Sequence, residues 1–240
     1  MSLVDWHDVE CGGYEADLEL WLELARSQPG PILDVGAGTG RVALHLARHG
    51  HDVTALDLAP ELLEALRERA LHAGLSVATV VADAAALPDS ERRFGLILVP
   101  MQTIQLLPSS AARARFLAGA RSWLAPGGLV ALAIAEELAS FDDDPAMLPP
   151  PDVAERDGWR FFSHPIAVRE RGAAVLLERL RQTVAPDGSV STDGDVTALA
   201  RVSAAELEAE GEAAGLRLEP RREIPATSVH VGSTVVVLRG

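Results

Sequence analysis

A single cysteine, Cys11, is all that this 240-residue chain contains, which excludes an internal disulfide and any metal site built from several cysteines. No apolar run reaches the roughly 18 residues of a membrane-spanning helix. Positive charge is scarce: 21 Arg and Lys stand against 35 Asp and Glu, a net charge of −14. A surface of that sign repels a polyphosphate backbone, and no basic stripe with interleaved aromatics offsets it, so nucleic acid is not an expected partner. Arg113, Arg115 and Arg121 read instead as the solvated face of a helix. Residues 1–10 are acidic and lack an apolar centre, unlike a secretory signal, so the expected location is cytoplasmic. Asp142, Asp143 and Asp144 read as a solvated acidic loop, and no metal is expected. No repeat or low-complexity tract interrupts the chain. With 48% hydrophobic residues and a mean hydropathy of +0.14, it suits one soluble globular domain, monomeric or homodimeric.

The most informative stretch is 32–44. Ile32, Leu33 and Val35 form a short apolar run that suits a strand buried on both faces of a parallel sheet. Gly36, Gly38 and Gly40 then alternate, leaving the backbone open to a ligand, and a helix follows from Arg41, closed by Gly50. The helix N-terminus aims free N–H groups over the turn. A dinucleotide turn reads G-x-G-x-x-G, whereas here the glycines fall at G-x-G-x-G, which disfavours a nicotinamide-dependent oxidoreductase. Asp34, two residues before the first glycine, would repel a pyrophosphate but suits a ligand with an ammonium. Asp57 ends the next strand, 52–57, where a carboxylate can accept from both hydroxyls of a ribose.

At these residues the chain resembles the class I S-adenosylmethionine-dependent methyltransferases, whose first motif, D/E-x-G-x-G-x-G, matches Asp34, Gly36, Gly38 and Gly40 without a gap. The resemblance implies a seven-stranded, mostly parallel α/β sheet with an antiparallel last strand, helices on both faces, and an insert of extra strands as a lid. It assigns S-adenosyl-L-methionine as cofactor. Ala37, Thr39 and Leu58 add contacts around the turn and Asp57; Asp83 meets the adenine amino group, with Ala84 beside the ring. Pro100 and Met101 line the methyl end, and Tyr14 meets the methionine moiety. Asp83 also suits a plain loop-capping role, and Tyr14 a packing role. The turn at 125–128 and the strand after it fit the same pattern, so the resemblance covers about 30–135. In this family an acid often follows the aromatic that opens the fourth strand; here it is Gly95, which implies a looser strand end. The strand also lacks the Asn/Asp-Pro-Pro-aromatic signature of exocyclic or amide N-methylation, so the small-molecule branch fits best.

Along the chain, Leu18, Trp21, Leu22 and Ala25 predict an amphipathic helix over 17–27. The resemblance implies that residues 6–14 lie over the cofactor. Pro60 opens a helix to Gly74, Ser109 caps another, and Ser203 with Glu206 forms a capping box for the last. The expected organisation is a single domain, 1–240: an N-terminal lid helix (1–30), a cofactor-binding core (31–135), a substrate-side insert (136–202), and a final helix and strands (203–240). In the insert, Trp159 to His164 is dense in aromatics for a chain with 4% of them, and extended stretches at 173–184 and 195–202 flank a turn. The expected reaction is SN2 methyl transfer to a small organic acceptor, with alignment and desolvation as the main catalytic contributions. Where a base is required, His164 is the first candidate, beside His7, Glu136 and His230; Gln102 and Gln105 are candidates to face the substrate. Two other readings differ in class or substrate: a protein that binds the cofactor without transferring methyl, and a methyltransferase acting on a basic protein.

Overall fold

The computed structural model describes all residues except Met1, Glu137, Ala139, 143–147 and Val229. The acidic run at 142–144 therefore lies mostly outside the described residues. Two helices come first, α1 (Leu3–Cys11) and α2 (Leu18–Ser27), followed by alternating strands and helices: β1 (Ile32–Val35), α3 (Arg41–Arg48), β2 (Val53–Asp57), α4 (Pro60–His72), β3 (Val77–Val81), β4 (Phe94–Val99), α5 (Ser110–Trp123) and β5 (Leu124–Ile134). An insert of β6 (Phe141–Asp142), β7 (Asp152–Arg156), β8 (Trp159–Arg171), β9 (Ala174–Val184) and β10 (Val190–Ala200) precedes α6 (Ala204–Ala213), β11 (Arg217–Ile224) and β12 (Ser233–Arg239).

The main sheet runs β11-β12-β5-β4-β1-β2-β3, with β12 antiparallel to both neighbours and β1 through β5 mutually parallel. Its central strands are continuous apolar runs because helices cover both faces. Ile32, Val53, Leu96 and Leu98 face α2, α3 and α4 through Trp21, Leu46 and Leu63. Leu33, Val35, Ile97 and Val130 face α5 and α6 through Phe116, Leu117 and Leu207. Strand order reverses between β1 and β4, which opens a crevice at their carboxyl ends, the place where open α/β sheets bind ligands. The insert is a second, antiparallel sheet, β10-β9-β8-β6, with β7 also on β8.

The helix starts follow the expected caps. The Ser109 side chain accepts from the Ala112 N–H, Ser203 and Glu206 form a capping box, and Pro60 opens α4. Several details differ. Residues 3–11 are a helix in their own right, started by a capping box between Ser2 and Asp5. Arg113 is not solvated: it is buried and bidentate to Glu210, tying α5 to α6. Strand β7 directly follows the prolines at 149–151, and β8 runs through Pro165 because a register shift between Pro165 and Ala167 absorbs its missing donor.

Candidate functional site at the glycine turn

The crevice at the switch point is floored by the turn after β1. Gly36 and Gly38 have φ of 69° and 54°, conformations that a side chain with a Cβ resists. A Cβ on Gly36 would fall 2.4 Å from the Thr103 methyl, and one on Gly38 would fall 2.1 Å from the His7 ring. Asp57, at the end of β2, braces the turn: one carboxylate oxygen accepts from the Gly38 N–H at 2.8 Å, the other from the Ala59 N–H at 2.9 Å. Leu58 beside it is exposed. Asp83 accepts from the Ala85 N–H at 2.8 Å, capping a short 3-10 turn, while Ala84 rests on the core. On the β4 side Pro100 is buried, and Met101 has a left-handed φ of 54°, a strained backbone for a residue with a side chain. The structure thus brings Gly36, Ala37, Gly38, Thr39, Gly40 and Asp57 into one turn.

Asp34 lies beneath this turn with both carboxylate oxygens buried and without a hydrogen-bond partner. The Ala43 N–H is near enough to be felt electrostatically but makes no hydrogen bond by distance and angle. Burial dominates and pushes the Asp34 carboxyl up to about 7, against the pull of the nearby Arg41 guanidinium. Arg41 itself is committed elsewhere: it is bidentate to the buried Asp17 (2.5 and 2.7 Å) and donates to the Tyr14 carbonyl at 2.7 Å. Its guanidinium also lies 5.2 Å from the Tyr14 ring centre, and that buried ring packs at 4.9 Å from His230. An orphaned carboxylate under a glycine turn fits a cationic ligand group, and a carboxylate at the next strand end fits a diol.

Helix α1 lies between the glycine turn and the insert. None of its residues is buried, and its acids hold it in place. Asp8 accepts from Thr39 Oγ1 (2.8 Å) and from Arg69 of α4 (2.9 and 2.5 Å), while Arg156 of β7 reaches Asp8 and Asp5. Glu10 accepts from Ser163 of β8 and from Arg181 of β9, each at 2.8 Å. His7 is thereby pressed over Gly38 with Asp57 as its strongest charged neighbour. Burial holds the His7 imidazole below its ordinary 6.5 despite the carboxylates around it. The sign follows: docked α1 excludes the proton that a released His7 binds, so docking weakens as pH falls below 6.5. Asp8 and Glu10 are held below their ordinary carboxylate values by the arginines they bind, although burial opposes this, so both stay ionised down to pH 5. Hydrogen exchange at amides 3–11, corrected for intrinsic rates, is therefore expected to accelerate relative to β4 between pH 7 and 5, and a His7→Asn variant is expected to lose that pH dependence.

Two other candidate bases, His164 and Glu136, fall elsewhere. Phe161 and Ser163 face α1, through Trp6 at 5.8 Å and Glu10, so His164 alternates onto the opposite face of the second sheet, stacked with Phe162. The Glu136 carboxylate accepts from the Ala204 N–H at the start of α6. Gln105 is sealed in the core, bridging the Ala135 and Ala200 backbones, which removes it as a substrate-facing side chain. Cys11 is half-buried, its thiol pushed up to about 11, chiefly by desolvation, and is inert at neutral pH. Sequence reasoning missed the α1 contacts of Asp8, Glu10, Arg69, Arg156 and Arg181; the Ser2-x-x-Asp5 capping pattern was the one signal that announced the helix.

Comparison with known proteins bears on this geometry. Residues 32–128 match the model of a methyltransferase domain. An uncharacterized protein of Mycobacterium tuberculosis is 46% identical over 67 residues, 28% of this chain and 24% of that protein, so the chain spans only about a quarter of that curated relative. Among solved structures, DesVI from Streptomyces venezuelae superposes with a TM-score of 0.74 at 24% identity, covering 98% of each chain. The sugar N-methyltransferase KedS8 from Streptoalloteichus superposes with a TM-score of 0.75 at 22% identity, covering 100% of this chain and 94% of the other. At these identities the likeness establishes the fold.

Proposed function

We propose that the protein, whose residues 32–128 match the model of a methyltransferase domain, transfers a methyl group from S-adenosyl-L-methionine to a small organic acceptor. The observation that carries the reading is the pair of carboxylates at the switch point: Asp34, orphaned beneath the glycine turn, and Asp57 at the neighbouring strand end. Asp34 receives the cofactor's ammonium, and Asp57 its ribose hydroxyls. Gly36, Gly38 and Gly40 admit its backbone-proximal atoms, with Ala37, Thr39 and Leu58 alongside. Asp83 and Ala84 take the adenine; Pro100 and Met101 border the methyl end; Tyr14 borders the methionine moiety.

The bound cofactor supplies an electrophilic sulfonium methyl, so the chain's own task is to orient the acceptor and exclude water, a contribution on the order of 7–11 kcal/mol when alignment is good. Helix α1, whose His7 ring lies against Gly38, and strand β10, which contacts the 103–106 turn after β4, support this role. A small acceptor is supported by KedS8, of similar fold, which is a sugar N-methyltransferase.

Isothermal titration with S-adenosylmethionine and its demethylated product tests the cofactor. Asp57→Ala removes two charge-assisted hydrogen bonds of roughly 1.5–3 kcal/mol each, so at least a 100-fold loss of affinity is expected. Because Asp57 also braces Gly38, the melting temperature of the variant must be measured alongside. Binding of neither ligand to the wild-type protein refutes the reading; binding without any methylated product favours a cofactor-binding protein that does not methylate.

A further inference from the structure

Beside the Glu10 contacts that hold α1, and next to Tyr14, the insert sheet carries two charged side chains that those contacts leave unpaired, Asp152 and Arg179. Across β7, β8 and β9, Asp152 stands directly opposite Ser163, and Ser163 opposite Arg181. Residues paired in this way share a face. Ser163 and Arg181 both bind Glu10 of α1, so Asp152 points to the same interior side. Arg179, two residues before Arg181, lies on that side too, its nearest contact with Glu10 a loose 3.8 Å. The loop before β12 brings His230 to the same place, against Tyr14.

Two features mark this as a seat rather than a packed network. The Arg179 Nε–H is buried with no acceptor. The half-buried Asp152 carboxylate makes no hydrogen bond or ion pair among the described residues, although Arg179 is its strongest charged neighbour. A carboxylate and a guanidinium that are neighbours but not joined, each with unmet hydrogen-bonding capacity, leave room for a ligand that satisfies both. The remaining ionisable groups facing Asp152 are Glu10, His230 and Cys11. Burial raises the Asp152 carboxyl above its ordinary value, with Glu10 adding to this and Arg179 and His230 opposing it.

We propose that Asp152 and Arg179 are the residues that select the methyl acceptor, Asp152 receiving a protonated amine and Arg179 an adjacent hydroxyl oxygen, so that the acceptor is a hydroxylated amine. This rests on the methyltransferase reading above. In the reaction the ammonium gives one proton to the Asp152 carboxylate, and its freed lone pair forms the N–C bond. The S–C bond breaks with its electron pair staying on sulfur, so the sulfonium becomes a neutral thioether. The product amine carries the positive charge, and Asp152 returns the proton to water. The raised carboxyl suits a group that must hold a proton briefly near neutral pH.

The test uses the full chain saturated with S-adenosylhomocysteine and titrated with glucosamine or glucose, which differ at one position by amine against hydroxyl. The wild type is expected to bind glucosamine at least about ten-fold more tightly than glucose. Asp152→Asn is expected to erase that preference and Asp152→Glu to restore most of it, while S-adenosylhomocysteine affinity and melting temperature stay unchanged in both. With S-adenosylmethionine, the pH profile of transfer to glucosamine is expected to move to higher pH in Asp152→Asn, toward the amine's own pKa. Equal binding of the two sugars, binding of neither, a preference that survives Asp152→Asn, or coincident pH profiles would each overturn the proposal. Failure to bind S-adenosylhomocysteine is a different result and strikes the methyltransferase reading itself.

Discussion

Asp34→Asn is expected to lose S-adenosylmethionine binding and, at the same time, to make the ligand-free protein more stable above pH 7. The two effects share one cause. The Asp34 carboxylate is buried, unpartnered, and raised from 3.8 to about 7. A folded-state carboxyl with a raised pKa holds its proton more tightly than the unfolded chain does, so its contribution to stability is present below about 4 and is lost as pH rises through about 7. The loss amounts to at most ~4 kcal/mol, and Asn, which carries no charge but still needs hydrogen bonds in the same cavity, recovers about 1–4 kcal/mol of it. Thermal melting of wild type and variant should converge near pH 4 and separate by pH 8. Cofactor affinity moves the other way. Pairing with a buried ion contributes on the order of 3 kcal/mol, so the variant should bind roughly 100-fold more weakly, and wild-type affinity should rise as Asp34 ionises between pH 6 and 8. Undiminished binding by the Asn variant would mean that the ammonium goes elsewhere.

Gly95→Ala is expected to be the most damaging single methyl in the core sheet. A Cβ at Gly95 would fall 1.8 Å from the Pro29 carbonyl oxygen and 2.9 Å from its carbon, and those are backbone atoms with no rotamer to yield. The Gly95 N–H donates to the Pro31 carbonyl at 2.9 Å, so the segment entering β1 is laid directly on β4 there. Far from loosening the strand end, glycine is what lets the two backbones meet. Overpacking of this kind costs about 3 kcal/mol, which corresponds to a fall of roughly 10 °C in melting temperature for a domain of this size. Gly50→Ala is the control: its φ is 84° but a Cβ there meets nothing, so the loss should stay near 1 kcal/mol. Equal melting temperatures for the two variants would refute the contact argument.

The turn and its carboxylates are legible in the sequence because their signals are local. Strand, glycine turn and helix occur in one contiguous run from Ile32 to Arg48, and the caps at Ser109 and Ser203 lie within four residues of what they cap. The loop-capping alternative for Asp83 has its hydrogen bond in the structure, again a contact across two residues. The insert is legible as strands but not as a surface. Nothing in the spacing of Phe161, Phe162, Ser163 and His164 tells which pair turns inward; the contacts of Trp6 and Glu10 decide it, and they send His164 outward.

By itself, then, the sequence determined the parallel core, the glycine turn with Asp34 and Asp57 at the strand ends, and the boundaries of the helices after α1, since hydrophobic periodicity, glycine and capping act over a few residues. Tertiary structure alone decided that α1 covers the turn with His7, that Arg113 is buried on Glu210, and that Asp152 and Arg179 face one another's neighbourhood unpaired. Those arrangements depend on polar side chains from segments as much as 171 residues apart, as with Arg181 and Glu10. A charged residue carries no periodic mark of its partner; its energy is set by burial and by whatever the fold brings within a few ångströms.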